Sequence, residues 1–558
     1  MVERILKWLN REWGSIHEAA LLLALSSFAA DVLGLVRDRL LAASFGAGRV
    51  LDIYYTAFRV PDLLYVTIAS FVSVTVLIPF IIDRLSRGEV ETTKRFLDNI
   101  LTVFLLVMFV VLAVVWLLAP VLAPWLAPGF SLVERTQLVT LVRILLLSPL
   151  LLGLSNLFGA VTQSTQRFFV YALSPVLYNV GVIIGIIALY PLWGLPGLVV
   201  GVVLGAVFHL AIQFPGVWRS GLFPRLRWIN GWREIGEVVA ISLPRSLTLA
   251  ASQLALTVLV SLASVLGIGA VAVFNFAMNL QSIPMSIIGV SYSVAAFPLL
   301  VKLYNGGEKK SFIDQLTSAM RHVLFWSLPS VVLFIVLRAQ IVRVLLGAGK
   351  FSWQDTRLTA AALALFAVSV LGQNLVLLLV RAYYAAGRTT RPLVVNALSS
   401  LSIVITGWLL VRWPAAAETG KFFETMLRVS DLSGTRVLLL PLAFTVGTTL
   451  NAVLLWIFFQ RDFGRFPKVV DRALGQSVVG SLVAGIVSYQ ALNWLAPLLN
   501  LNTFVGIFIQ GLVAGLLGLA VLYLLLKYFN NKELAELEKS LKQKFWCAEV
   551  IAPEPEGL

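Results

Sequence analysis

The chain has 558 residues, 59% of them hydrophobic and only 13% charged. Soluble domains are about a quarter charged, so this balance excludes an ordinary soluble fold. The formal charge of +15 is spread through short loops between apolar runs, which reads as membrane topology and excludes nucleic acid as the partner.

In chain order, residues 1–18 form an amphipathic stretch with Arg4, Lys7 and Arg11, and no A-x-A-like cleavage site closes the apolar run that follows. The expectation is a cytoplasmic surface helix leading into an uncleaved first span. Apolar runs then recur near 19–44, 51–84, 96–126, 133–162, 168–190, 194–218, 234–264, 268–303, 312–338, 356–386, 390–411, 436–460, 471–495 and 502–529. Each is long enough to cross a hydrocarbon core of about 30 Å as a helix. The fold class is therefore an all-α polytopic membrane protein, with about fourteen transmembrane helices.

The chain divides into an N-lobe at 19–218, a C-lobe at 234–460, a C-terminal helix pair at 471–529 and a polar cytoplasmic tail at 530–558. Weak internal symmetry sets Gln166-Arg167-Phe168 before span five beside Arg388 to Pro392 before span eleven. That suggests two pseudo-repeated lobes, a recurrent transporter plan with its site between the halves. Alternate loops are basic: Arg84 to Arg95, Arg219 to Arg233, Lys302 to Lys310 and Arg461 to Arg472. Both termini are expected in the cytoplasm of a bacterial cell, with the protein in its inner membrane. The single cysteine, Cys547, lies in the tail and allows no internal disulfide or cysteine-based metal cluster.

Charges inside spans cost roughly 2.5–3.5 kcal/mol each on insertion scales, so they normally face a bundle interior or a wet cavity. They gather in spans one and two: Asp31, Arg37, Asp38 and Arg39, then Asp52, Arg59 and Asp62. Asp31 and Asp38 share a helix face, as do Asp52, Arg59 and, less closely, Asp62. Two readings stay open, a charged cavity wall and ion pairs that hold the two spans together. Further candidates are Arg245 beside Pro244 in span seven, and Asn275, Asn279, Gln281 and Ser282 leading into Pro284 in span eight, where proline frees carbonyls. Arg143, Arg381 and His209 are weaker. No nucleotide loop, catalytic constellation or metal-spaced histidine pair appears, so neither an enzyme nor a cofactor is expected.

From Asp31 to Pro79 the sequence resembles the MurJ (MviN) family within the multidrug/oligosaccharidyl-lipid/polysaccharide (MOP) exporter superfamily. The words that carry the likeness are Val32-Leu-Gly-Leu-Val-Arg-Asp38, Phe45-Gly-Ala-Gly48, Asp52, Ala57-Phe-Arg-Val-Pro-Asp-Leu-Leu64 and Ile78-Pro79. It continues through Ala127-Pro-Gly-Phe130, Gln213-Phe-Pro215, Ile283-Pro284, Phe297-Pro298, Gly349-Lys-Phe351, Tyr383-Tyr384 and Leu450-Asn-Ala452, over nearly the whole chain.

The resemblance implies two lobes around a cationic cavity that carries the pyrophosphate-linked headgroup of lipid II, the undecaprenyl-linked peptidoglycan precursor, across the membrane by alternating access. It implies Arg37 as a substrate contact, with Asp38 and Asp52 as ion-pair or coupling groups; Tyr65 and Asn279 are substrate-contact candidates at family arginine positions, Arg59 and Arg245 are candidates for replacement charge from their span positions alone, and Asp31 is a further ion-pair candidate. Coupling to membrane potential, Na⁺ or H⁺ and an association with cell-wall synthesis proteins belong to the same expectation. The carry-over is partial: Asp31, Tyr65 and Asn279 stand where the family pattern has arginine, and Ser70-Phe71 stands for Glu-Gly. Asn or Tyr donates a hydrogen bond but cannot neutralise a pyrophosphate as guanidinium forks do. Rival expectations keep the fold and change its use: another polyprenyl-linked glycan, a small cation, or a transport-inactive scaffold for envelope assembly.

Overall fold

The computed structural model describes residues 16–227, 231–413, 416–467 and 469–545. The leading part of the expected surface helix at 1–18, together with Cys547 and the end of the tail, lies outside the described residues. Among the described residues there are helices and connecting turns and no strand. That is the expected outcome for apolar runs of this length, because backbone in hydrocarbon must satisfy its own hydrogen bonds.

Among the described residues, twelve helices are long and apolar enough to cross a membrane. The two expected spans outside that set are the first two, at 19–44 and 51–84. The first is one continuous helix, α1 (Ile16–Phe45), which carries Asp31, Arg37, Asp38 and Arg39. The second is segmented into α2 (Arg49–Ala57), α3 (Arg59–Thr67), a 3₁₀ turn at Ala69–Val72 and α4 (Val74–Ser86). Pro61 lies in the first turn of α3 and has no N–H to return to the Ala57 carbonyl, so the ladder is interrupted where α2 meets α3 at Phe58.

The third span is α5 (Val90–Leu126). The fourth bends at Leu146 between α6 (Leu132–Leu145) and α7 (Leu147–Ser164), just before Pro149. α8 (Phe168–Ile184) and α9 (Leu195–Ala211) follow, and then α10 (Trp232–Ser264) and α11 (Ala270–Pro284). The break expected at Pro284 is present as a π turn at Met285–Val290, which leads into α12 (Ser291–Asn305).

By its internal packing the chain forms two compact units. One holds Met1–Asn279, Leu345–Ala362 and Thr389–Gly447; the other holds Leu280–Val344, Leu363–Arg388 and Thr448–Leu558. This grouping differs from a division at 218–234, because α10 and the first part of α11 belong with the N-terminal helices. In the first unit α8 packs along both α1 and α9. Glycines make the α8/α9 approach close: a Cβ on Gly181 would lie 2.3 Å from Gly205 Cα, and one on Gly201 would lie 2.3 Å from Gly185 Cα. Small residues at four-residue spacing are the usual device for bringing membrane helices into backbone contact.

In the second unit α13 (Lys309–Val336), α14 (Val469–Leu495) and α15 (Phe504–Tyr528) pack in sequence, α14 touching both others. The amphipathic α16 (Lys532–Phe545) is tied to α13 by ion pairs from Arg321 to Glu533 and Glu536.

Candidate functional site

The charged residues of spans one and two converge on α11 in the first unit, and they meet it rung by rung. At its start, the Asp52 carboxylate is fully buried and accepts the backbone N–H of Gly269 at 2.7 Å and of Ala272 at 3.0 Å. These are donors that a helix N-terminus leaves without intrahelical partners. A turn further on, Arg59 donates through its Nη2 to Asn275 Oδ1. One turn beyond that, Asn279 Nδ2 donates to Asp38 Oδ2 at 3.1 Å. The stripe of Asp52 and Arg59 expected from their spacing therefore exists, and it faces α11.

Arg37 and Asp38 form a second junction. Arg37 Nε and Nη2 both lie 2.9 Å from Asp38 Oδ1, and Arg37 Nη1 donates to Asn179 Oδ1 of α8 at 3.2 Å. Asn179 Nδ2 donates in turn to the Ala30 and Pro175 carbonyls, at 3.2 and 3.1 Å. The guanidinium is thus held from two sides while about a quarter of its side chain stays accessible. It lies eight residues, about 12 Å at 1.5 Å per residue, before the end of α1.

Two cavities open on this junction. The larger, about 380 Å³, is lined by Arg37, Asp62, Tyr65, Ser148, Tyr178, Asn179 and His209 together with apolar residues and prolines of α3, α6, α7 and α8. The smaller, about 160 Å³, is lined by Arg37, Asp38, Tyr54, Tyr55, Arg59, Asp62, Asn275 and Asn279 among others. Arg37 and Asp62 border both. The charged side chains on the walls are Arg37, Arg59, Asp38 and Asp62, two of each sign.

The structure brings six of the expected residues together: Arg37, Asp38, Arg59, Asn279, Tyr65 and Asp52. The first five line the cavities, and Asp52 instead occupies the α11 terminus. Asp31 is exposed and lines neither cavity, although it shares a helix side with the buried Asp38. Seven residues separate them, about 10 Å along the axis, so the packing that covers Asp38 does not reach Asp31. Arg245, expected to face inward, is exposed on α10 and lines neither cavity. The buried stripe of α10 runs through Ser242 and Ser246, and Arg245 stands about 100° away from Ser246 around the helix.

Asn179, Tyr178 and Tyr54 complete the site and went unrecognised in the sequence. Asn179 was signalled only as a lone amide four residues after Pro175 in an apolar run. His209 borders the larger cavity with its ring Nδ1 2.7 Å from Ser155 Oγ.

A family model described as "Lipid II flippase MurJ" matches residues 41–514. The chain belongs to the MurJ family. It is similar to a probable lipid II flippase MurJ of Rhizobium tropici, 25% identical over 92% of this chain and 94% of that one. A lipid II flippase MurJ of Burkholderia cenocepacia is 25% identical over 85% of this chain and 90% of its own length. Among solved structures, a lipid II flippase MurJ in an inward closed conformation superposes with a TM-score of 0.71 at 19% identity, covering 92% of this chain and all of that one. An inward-facing MATE multidrug transporter of the MOP superfamily matches with a TM-score of 0.63 at 15% identity, covering 81% and 99%. The fold is thus that of MurJ and of MATE transporters. Of the three positions where the MurJ resemblance implies an arginine, Tyr65 borders the larger cavity, Asn279 the smaller and Asp31 neither.

Proposed function

We propose that this chain translocates lipid II across the bacterial inner membrane by alternating access, with both termini in the cytoplasm and Arg37 as the primary contact for the pyrophosphate. The observation that carries the reading is the placement of Arg37: a partly buried side chain, its guanidinium braced by Asp38 and Asn179, that borders both cavities of the first unit. A cavity of about 380 Å³ is near the lower end of small-molecule pockets, which run from about 300 to 1,000 Å³. It suits a pyrophosphate and excludes the whole glycopeptide headgroup. Arg59, Tyr65 and Asn279 supply further donors on the walls, and a polyprenyl tail stays in lipid. Membrane potential drives the cycle, at about 2.3 kcal/mol per charge per 100 mV.

The test is complementation in a bacterium depleted of its own lipid II flippase, scoring growth and outer-leaflet lipid II. Rescue by this chain that is lost with Arg37→Ala, at equal membrane expression, is the expected result. A well-expressed chain that fails to rescue overturns the cargo, and rescue that survives Arg37→Ala overturns the role of Arg37.

A further inference from the structure

Asp62 differs from the other buried or half-buried carboxylates of the first unit. Asp38 is held by Arg37 and Asn279, and Asp52 by two backbone amides and Arg49. Asp98 is held by the Arg225 backbone N–H and the Arg227 side chain. The Asp62 carboxylate, by contrast, accepts no hydrogen bond and makes no ion pair within 4 Å among the described residues. Even so, it borders both cavities beside Arg37.

Its surroundings can be named element by element. Its own helix α3 presents Arg59, whose charge it feels, and Tyr65. α1 presents Arg37 and Asp38, α2 presents Tyr54 and Tyr55, α8 presents Tyr178, and α9 presents His209. From α6 and α7 come Leu145, Ser148, Pro149 and Leu152, none ionisable, and α11 presents the amides Asn275 and Asn279. α10, which also packs on α3, contributes no lining residue to either cavity.

With both arginines and both aspartates charged, the walls are neutral, whereas a pyrophosphate diester brings two negative charges. An entering anion disfavours the ionised form of any nearby carboxylate, and hydrogen bonds to the charged form oppose that effect. Asp38 has such bonds and Asp62 has none. Asp62 is therefore the group that yields, and its neutral form leaves the walls with one net positive charge beside Arg37 and Arg59.

We propose that Asp62 takes up one proton as the pyrophosphate enters and releases it when the cargo leaves, making lipid binding proton-linked. The step is protonation alone: the proton comes from water in the cavity, the carboxylate becomes a carboxylic acid, and no other bond changes. The inference rests on the transport reading above.

The experiment uses the full chain in detergent micelles with lipid II itself, whose pyrophosphate diester stays ionised across the range used, from about pH 5 to about pH 8. Binding is followed by tryptophan fluorescence, and proton uptake in parallel by an indicator dye in weak buffer. Wild type is expected to take up about one proton per lipid bound and to lose up to roughly tenfold in affinity per pH unit once Asp62 is ionised in the empty protein. Asp62→Asn, nearly the same shape, is expected to bind lipid II alike at low and high pH and to take up none. Asp62→Glu is expected to restore uptake.

Lipid binding by wild type with no proton uptake overturns the inference and leaves the transport reading standing. So does uptake by Asp62→Asn equal to that of wild type. A folded wild-type protein that binds no lipid II overturns the transport reading, and this inference with it.

Discussion

Replacing Asp52 by alanine should unfasten the start of α11. The carboxylate is wholly buried and accepts two amide N–H groups, from Gly269 and Ala272, so its loss strands two donors where water does not reach. A hydrogen bond to a charged group is worth about 1.5–3 kcal/mol net, and an orphaned buried donor costs about 1–3 kcal/mol. Against this stands the recovered cost of burying the carboxylate, because Arg49 approaches it only to 3.7 Å. The balance is a local loss of about 2–4 kcal/mol, which at 1.4 kcal/mol per decade is roughly a 30- to 700-fold fall in protection of those amides.

Hydrogen exchange with mass spectrometry on a peptide covering residues 266–274 reads this directly. It is preferable to a melting temperature, which for a chain this large shifts little per kcal/mol. Asp52→Asn keeps one acceptor and should fall about tenfold. Exchange within threefold of wild type in Asp52→Ala would refute the capping argument and return Asp52 to the pool of coupling groups.

Two further outcomes follow from the helix packing and from the Arg357–Asp431 pair. Gly201→Ala should destabilise the α8/α9 pair by about 1–3 kcal/mol through overpacking, since its Cβ meets Gly185 Cα at 2.3 Å. The control Gly236→Ala on α10 meets nothing within 4 Å and should be neutral or slightly stabilising; equal detergent melting curves for the two variants would sink the glycine-contact reading. The Arg357 guanidinium grips Asp431 with two hydrogen bonds, at 2.6 and 2.7 Å, and holds its carboxyl below the usual carboxylate range. A depressed value means that the contribution is present above the ordinary carboxylate range and is lost as pH falls through the depressed one. Amides of residues 428–434 should thus lose protection in acid, after correction for intrinsic exchange, and Arg357→Gln should remove that pH dependence; persistence of the dependence in the variant would exclude the pair as its cause.

Much of the site was legible before any coordinates. Arg37, Asp38, Arg59 and Asn279 stood out because charge and amide groups are expensive in an apolar run, and that cost holds whatever the fold. The same reasoning failed for Arg245 and Asp31. A polar residue in a span can turn to the surface as well as to the interior, and periodicity shows which residues share a side without showing what covers it. Asp52 was recognised as important without its partner on α11, since nothing local announces a helix terminus more than two hundred residues away.

By itself, then, the amino-acid sequence determined that this chain lives in a membrane as a bundle of helices, because the length of apolar runs and the obligation to satisfy backbone in hydrocarbon leave no other choice. It also determined which residues could carry charge inside that bundle. Only the tertiary structure decided how those charges were spent: Asp52 on the amides of α11, Asp38 on Arg37 and Asn279, and Asp62 on nothing but the cavity it borders. That allocation depends on distances between segments remote in sequence, and hydrogen bonds reach about 3 Å, so no pattern along the chain can fix it.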